Sequence, residues 1–342
     1  MPARAARDEG IDVTTPTIAV LLPCYNEEAA IGRTVAEFRA ALPGATIYVY
    51  DNNSRDRTVE VARASGAVVR SERIQGKGAV VRRMFADVDA DVYVMADGDA
   101  TYEAAAAPGM VAKMLDEQLD MIVGARVHEA AEAYRRGHVL GNRMMTGLLS
   151  RLFGRSFSDI FSGYRVFSRR FVKSFPVLSA GFEIETEISV HALELRMPTA
   201  EVETRYLERI EGSTSKLSTY RDGWRILGTM ATLYRVERPL GYFGGLGLLL
   251  AAVAVILAVP LALTYADTGL VPRFPTAILV TGLMILAALS GFAGLILDTV
   301  VRGRREVKRL AYLTYAAPGA SSSRPGASHP KSDVGASTTW SA

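Results

Sequence analysis

The chain has 342 residues, 49% of them hydrophobic and 22% charged, with 39 basic residues against 36 acidic ones and a formal net charge of +3. These figures exclude a wholly disordered chain, a collagen-like repeat and, with one cysteine, a disulfide scaffold. The near balance of charge also gives no sign of a nucleic-acid partner, and the lone Cys24 suits a reducing compartment.

Residues 1–15 form a polar tail without the apolar core of a cleavable signal peptide. Beyond it, residues 17–22, 46–50, 67–70, 92–96 and 121–123 read as strands, and 27–42, 57–65, 79–88 and 105–117 as the helices between them. That alternation predicts an α/β fold over 16–219 with a mainly parallel sheet and right-handed crossovers. In such sheets ligands collect at the carboxyl ends of the strands.

Polar clusters stand at those ends. Pro23-Cys24-Tyr25-Asn26-Glu27-Glu28 follows the first strand, and Asp51-Asn52-Asn53-Ser54-Arg55-Asp56 follows the second. Asp97-Gly98-Asp99-Ala100-Thr101 follows the fourth, and Gly124-Ala125-Arg126 the fifth. Asp97 and Asp99, one residue apart where a buried strand ends, can share a hard divalent cation that also takes oxygens from a diphosphate. The other reading of that triplet is an ordinary turn. Asp51 can accept from a base N–H or a ribose hydroxyl; the other reading of Asp51, Asn52 and Ser54 is capping of the helix that follows. Gln75-Gly76-Lys77-Gly78 opens a helix, so free amide N–H groups and Lys77 can face an anion, although the Walker spacing is absent. Asp159 is either a capping residue or a group that orients substrate. Outside such motifs, the arginine pairs Arg82-Arg83, Arg135-Arg136 and Arg169-Arg170 read as solvated surface, and His128, His138 and His191 are too scattered for a zinc site.

After the α/β region, Trp224, Leu227, Ala231 and Tyr234 recur at helical spacing beside arginines, which predicts an amphipathic juxtamembrane helix over 220–238, the other reading being a helix packed on the α/β domain itself. Residues 242–263 and 276–297 carry no charge, and each stretch is long enough to cross about 30 Å of hydrocarbon as helix. Transmembrane helices are therefore expected over 241–264 and 276–298, with Gly244, Gly245, Gly247, Gly291 and Gly294 letting them pack closely. A basic flank over 299–315, with Arg235 and Arg238 ahead of the first span, puts both long ends on the cytoplasmic side of an inner membrane. The segment 316–342 is rich in Ala, Ser, Gly and Pro and is expected to be disordered.

Taken together and in order, these motifs resemble the family 2 glycosyltransferases of the GT-A fold. Within them the chain is similar to the polyprenyl-phosphate hexosyltransferase branch, the dolichyl-phosphate mannose and glucose synthases. Asp159-Ile160-Phe161-Ser162-Gly163-Tyr164-Arg165, Gly181-Phe182-Glu183-Ile184-Glu185 and Arg209-Ile210-Glu211-Gly212-Ser213-Thr214-Ser215-Lys216-Leu217 are similar to that branch's later motifs, the last with one residue inserted. The resemblance implies an inverting transfer of a hexose from a nucleotide diphosphate sugar, of UDP-glucose or GDP-mannose type, to a polyprenyl phosphate. It implies Mg2+ or Mn2+ on Asp97 and Asp99, and a catalytic set of Asp99, Arg126 and Asp159. Pro23, Tyr25, Glu27, Asp51, Asn53, Lys77, Asp97, Arg136, Ser162, Arg209, Ser215 and Lys216 would bind the substrates. Thr101 would touch the metal through water, and the two spans with the surface helix would support a homotetramer.

Three rival readings remain. A processive polysaccharide synthase would carry Gln-x-x-Arg-Trp, but neither Trp224 nor Trp340 follows an arginine. A transferase acting on a sugar or protein hydroxyl would need a general base. A non-catalytic nucleotide-sugar sensor or scaffold would show eroded aspartates and arginines, whereas Asp97, Asp99, Arg126 and Arg209 are all present.

Overall fold

The computed structural model describes residues 15–128, 136–154, 157–177, 184–207 and 219–319, with the backbone alone for 128, 136–143 and 219–227. In chain order the elements are β1 (Ile18–Cys24), α1 (Ile31–Ala41), β2 (Thr46–Asp51), α2 (Thr58–Ala64), β3 (Val68–Ser71), α3 (Lys77–Asp87) and β4 (Val92–Met95). A 3-10 turn (Ala104–Ala106) leads into α4 (Ala107–Asp116), β5 (Met121–His128), α5 (Arg136–Phe153), β6 (Arg165–Ser168), α6 (Arg169–Ser174), α7 (Ile184–Glu194) and β7 (Thr199–Tyr206). Three helices follow: α8 (Thr219–Glu237), α9 (Pro239–Thr268) and α10 (Phe274–Leu313).

The sheet has seven strands in the order β3-β2-β1-β4-β6-β5-β7. All neighbours are parallel except β6, which runs antiparallel to both β4 and β5. Alternate residues of β1 face opposite ways, as the two-residue period of a strand requires. Ala19 and Leu21 join Val81, Met84, Phe85, Phe167 and Phe171 on one side, while Val20 and Leu22 join Val35, Phe38, Met110 and Met114 on the other. The sheet is thus sandwiched between two apolar layers, α3 and α6 on one face and α1 and α4 on the other. This is the α/β architecture expected over the first two thirds of the chain.

Two sequence expectations change in this region. Gly124-Ala125-Arg126 does not follow β5 but lies inside it, because β7 pairs with β5 from Met121 to His128 and carries the strand past the sheet edge. At Gly124 an added Cβ would lie 3.0 Å from the Tyr164 ring and 3.2 Å from Thr204 Oγ1. Close packing requires a glycine there. None of Asp51, Asn52 and Ser54 caps α2: the N-cap position is Arg57, which makes no side-chain cap, and Asp56, just before it, accepts from the Thr58 N–H at 3.0 Å and from its hydroxyl.

The C-terminal helices pair as an antiparallel hairpin, and both are long and apolar enough to cross a membrane. Their large side chains stay outward, with Leu248 74% and Ile256 69% exposed. Of the five glycines expected to allow close packing, Gly247 and Gly294 do face the partner helix: an added Cβ would stand 2.8 Å from Ala287 O and 3.2 Å from Phe243 Cβ. Gly244, Gly245 and Gly291 face open space.

The segment read as a basic flank is the last third of α10, which continues unbroken from the apolar hairpin and docks on the α/β region. Lys308 Nζ lies 2.7 Å from Glu194 Oε2, and Arg305 bridges Glu194 at 3.1 Å and Glu237 at 2.8 Å. Farther along, the Tyr312 hydroxyl donates to Asp120 Oδ2 at 2.8 Å. Arg170, which the sequence suggested was surface, forks onto that same fully buried Asp120 and stacks 4.7 Å over the Tyr312 ring. A carboxylate without solvent needs such partners, since an unpaired buried charge costs several kcal/mol.

Candidate active site

The chain order reverses between β1 and β4, and the crevice at such a switch point is where open α/β sheets bind ligands. Its walls come from the ends of β1, β2 and β4. Cys24 pairs with Asp51 in the β1–β2 register. Pro23, Tyr25 and Glu27 are half-buried along this rim, and Asp51 is buried. The Asp51 carboxylate accepts from the Ser54 N–H at 3.2 Å, Ser54 Oγ accepts from the Asn26 N–H, and Thr58 Oγ1 accepts from the Glu27 N–H at 2.8 Å. The two loops are therefore stitched to each other.

Asn52 ties this rim to the next loop. Its amide donates to the carbonyls of Glu72 and Ile74 at 2.9 and 2.8 Å, while its Oδ1 accepts from the Gly76 N–H at 2.7 Å. Asn53, expected to bind substrate, is exposed in a left-handed conformation (φ 64) and donates to Arg73 O at 2.9 Å. Gly76 (φ 131) ends that loop, and Lys77 starts α3.

At the end of β4 the two aspartates stand in different surroundings. Asp99 is buried, and its Oδ1 accepts from the Thr101 hydroxyl at 2.6 Å and from its N–H at 3.3 Å, holding a turn in which Ala100 adopts φ 58. Thr101, expected to act through water, is thus a support of Asp99. Asp97 is about a third exposed, and its Oδ1 lies 2.5 Å from Lys77 Nζ. The same ammonium lies 2.6 Å from Glu185 Oε1 in the first turn of α7. Burial alone would make Lys77 easier to deprotonate, but the carboxylates of Asp97 and Glu185 outweigh it and hold the ammonium firmly charged. Glu185 was visible in the sequence only as the internal Glu of a helix; the lysine it serves lies 108 residues earlier in the chain.

Opposite these groups, Arg126 on β5 forks onto Asp159, with Nε 2.6 Å from Oδ2 and Nη2 2.8 Å from Oδ1, and its guanidinium lies 5.4 Å from the Tyr206 ring centre. Burial would raise the Asp159 pKa, but Arg126 and its hydrogen bonds hold it below the usual carboxylate range. Asp159 is not a helix cap. Ser162 is fully buried, and its hydroxyl donates to Gly124 O at 2.6 Å and accepts from the Tyr164 N–H at 3.3 Å, so it shapes the loop from within. Gly163 follows with its N–H donating to the Tyr102 hydroxyl at 2.9 Å.

Arg165, the last residue of that motif, is fully buried and was not singled out by the sequence. Its guanidinium donates to the carbonyls of Ser162, Ile160 and Glu185 at 2.9, 2.6 and 3.2 Å and to Ser189 Oγ at 3.0 Å. Burial pulls its pKa down to about 10. Arg136 lies at the start of α5, where only the backbone is described, and Arg209, Ser215 and Lys216 lie outside the described residues.

Among the described residues no group of three His, Cys, Asp or Glu side chains converges as a metal cage. Asp97 and Asp99 offer hard oxygen donors from two carboxylates, and this fits a cation of the Mg2+ type, which takes one or two carboxylates and completes its shell with waters and phosphate oxygens.

Residues 19–175 match a family model described as Glycosyl transferase family 2. The chain is 32% identical to glycosyltransferase AglJ of Haloferax volcanii over 303 residues, 88% of this chain and 99% of that protein. It is 29% identical over 227 residues to a dolichyl-phosphate hexose transferase of the same organism, covering 66% of this chain and 98% of the relative. A solved structure of glucosyl-3-phosphoglycerate synthase from Mycobacterium tuberculosis, holding Mn2+, UDP-glucose and phosphoglyceric acid, superposes with a TM-score of 0.53 at 24% identity. That alignment covers 64% of this chain and 79% of the synthase, and the shared fold is GT-A.

Proposed function

The chain belongs to glycosyl transferase family 2, and we propose that it moves a hexose from a nucleotide diphosphate sugar to a polyprenyl phosphate at a membrane surface. The observation that carries this reading is the union, in one chain, of a crevice built on Asp51, Asp97 and Asp99 with two helices able to span a bilayer. The relative named for dolichyl-phosphate hexose transfer adds support. In this reading residues 16–219 perform the chemistry and the two spans hold it beside its lipid substrate. The return of α10 to the domain through Arg305, Lys308 and Tyr312 supports a topology in which the catalytic domain and the end of α10 lie on one side of the membrane. The basic residues at the membrane flanks favour the cytoplasmic side. Two spans and the juxtamembrane helix leave room for a homotetramer.

Asp51 and Glu27 would bind the nucleoside beside Pro23 and Tyr25, with Asn53 at the outer edge. Asp97 and Asp99 would hold Mg2+ or Mn2+, which when bound supplies positive charge to the diphosphate. Lys77 adds its ammonium at the same place. An acceptor phosphate carries one to two negative charges near neutral pH, so its oxygen attacks the anomeric carbon without a general base. The bond from that carbon to the diphosphate breaks, the nucleoside diphosphate leaves with the bonding electrons, and the carbon inverts. Arg126 is charged and aimed, with Asp159 as the partner it exchanges for the acceptor phosphate; Arg136, Arg209, Ser215 and Lys216 would complete the phosphate contacts. Ser162 acts from behind, through the Gly124 carbonyl.

The full chain in detergent with Mg2+ or Mn2+, labelled nucleotide sugars and undecaprenyl phosphate is expected to give one lipid-linked sugar, read by thin-layer chromatography. Transfer to free sugars or a polymeric product in place of the lipid would refute this acceptor. Gly163→Ala tests the crevice itself. Its Cβ would stand 2.8 Å from Asp97 Oδ2 and 3.1 Å from Lys77 Nζ. Pushing those groups apart is expected to lower kcat/KM by about a hundredfold, and an unchanged value would detach this corner from the reaction.

A further inference from the structure

The Lys77 ammonium stands between two carboxylates of different kinds. Asp97 borders the crevice with its side chain 32% exposed, while the side chain of Glu185 is 7% exposed. The backbone of Glu185 is pinned as well, since its carbonyl accepts from Arg165 Nη2 at 3.2 Å and from Ser189 Oγ at 2.9 Å. On the other side Gly163 leaves no room for a side chain beside Asp97 and Lys77. Lys77 itself is the first residue of α3, so its stem starts from a fixed point.

A divalent cation that takes Asp97 meets a position already served by this ammonium. Two cations within a few ångströms of one carboxylate repel strongly in a partly buried site. Lys77 must therefore give up Asp97 without leaving the crevice, where a second positive charge is useful against a diphosphate. The Glu185 carboxylate, at 2.6 Å, is the group that keeps it there.

We infer that Glu185 is a positioning residue: it retains the Lys77 ammonium at the crevice wall, so that Asp97 exchanges that ammonium for a divalent cation when the cation binds. The inference rests on reading Asp97 and Asp99 as cation ligands. It makes Glu185 act through Lys77 and not as a distant negative charge.

The two modes differ in a double-mutant cycle. Mn2+ binding to the full chain in detergent, without donor or acceptor, is followed by electron paramagnetic resonance. Lys77→Gln removes the competing charge while its amide still donates to Glu185, and it is expected to bind Mn2+ about tenfold more tightly, a factor equal to one pKa unit. Glu185→Gln leaves the ammonium with Asp97 alone and is expected to weaken Mn2+ about fivefold. In the double variant the Glu185 change should have no effect, giving the Lys77→Gln affinity. A second readout is kinetic: excess Mn2+ should restore most of kcat to Glu185→Gln, whereas a structural defect would leave kcat low at every Mn2+ concentration. An equal loss from Glu185→Gln in both backgrounds, or a kcat that Mn2+ fails to restore, overturns the inference. Failure of the wild-type chain to bind Mn2+ with or without nucleotide sugar would instead overturn the cation reading of Asp97 and Asp99, and this inference with it.

Discussion

Asp99→Asn is expected to reduce hexose transfer by at least about a thousandfold while leaving the fold intact. The substitution keeps the size of the side chain and an oxygen for Thr101, which donates its hydroxyl and N–H to Asp99 Oδ1. The turn that carries Ala100 at φ 58 should therefore persist. What disappears is a carboxylate on a buried side chain beside the proposed position of the departing diphosphate. Turnover of labelled nucleotide sugar, together with circular dichroism of the same sample, checks both halves. Unchanged turnover would remove Asp99 from the cation site and leave it a turn-holding residue.

Arg165→Met should produce the largest loss of stability. A fully buried guanidinium here serves three carbonyls and a hydroxyl. Methionine has similar bulk but donates nothing, and each orphaned acceptor costs about 1–3 kcal/mol. Allowing for relaxation, we expect a total near 4 kcal/mol, a large part of the roughly 5–15 kcal/mol that holds a domain folded. The apparent Tm should fall by about 10 °C. Arg165→Lys should recover little, because one ammonium cannot reach acceptors on the loop before β6 and on α7 together. A Tm within 2 °C of wild type would show that the buried charge costs as much as its bonds return, which buried ionic groups sometimes do.

The parts legible in the sequence are those whose signal is local. The strands and helices of the first half announce themselves by apolar runs broken by Asp, Asn and Gly, and the crevice residues follow because strand ends are where such breaks fall. The reading of a mainly parallel sheet held, with β6 as the exception. β6 was missed because it is four residues long and begins with an arginine, which reads as surface until its acceptors on α7 are known. Arg170 was read as surface for the same reason, and Glu185 drew no role of its own: a charged side chain shows its purpose only when its partner is visible, and Asp120 and Lys77 lie far away in the chain. The length of β5 depends on β7, about 80 residues later. Local composition cannot carry information about such partners.

Helix α10 is one continuous rod of 40 residues that begins in the apolar hairpin and carries, near its far end, the ion pairs with Glu194 and Glu237. A helix transmits rotation as well as distance. Each residue added or removed between Leu297 and Arg305 would turn the docked end by about 100° and shift it by about 1.5 Å. If the apolar hairpin spans a bilayer as proposed, the spacing from its residues to the docking residues would act as a phase, setting which way the crevice opens relative to the bilayer plane. The number of residues between Leu297 and Arg305 is therefore as much a determinant as their identity.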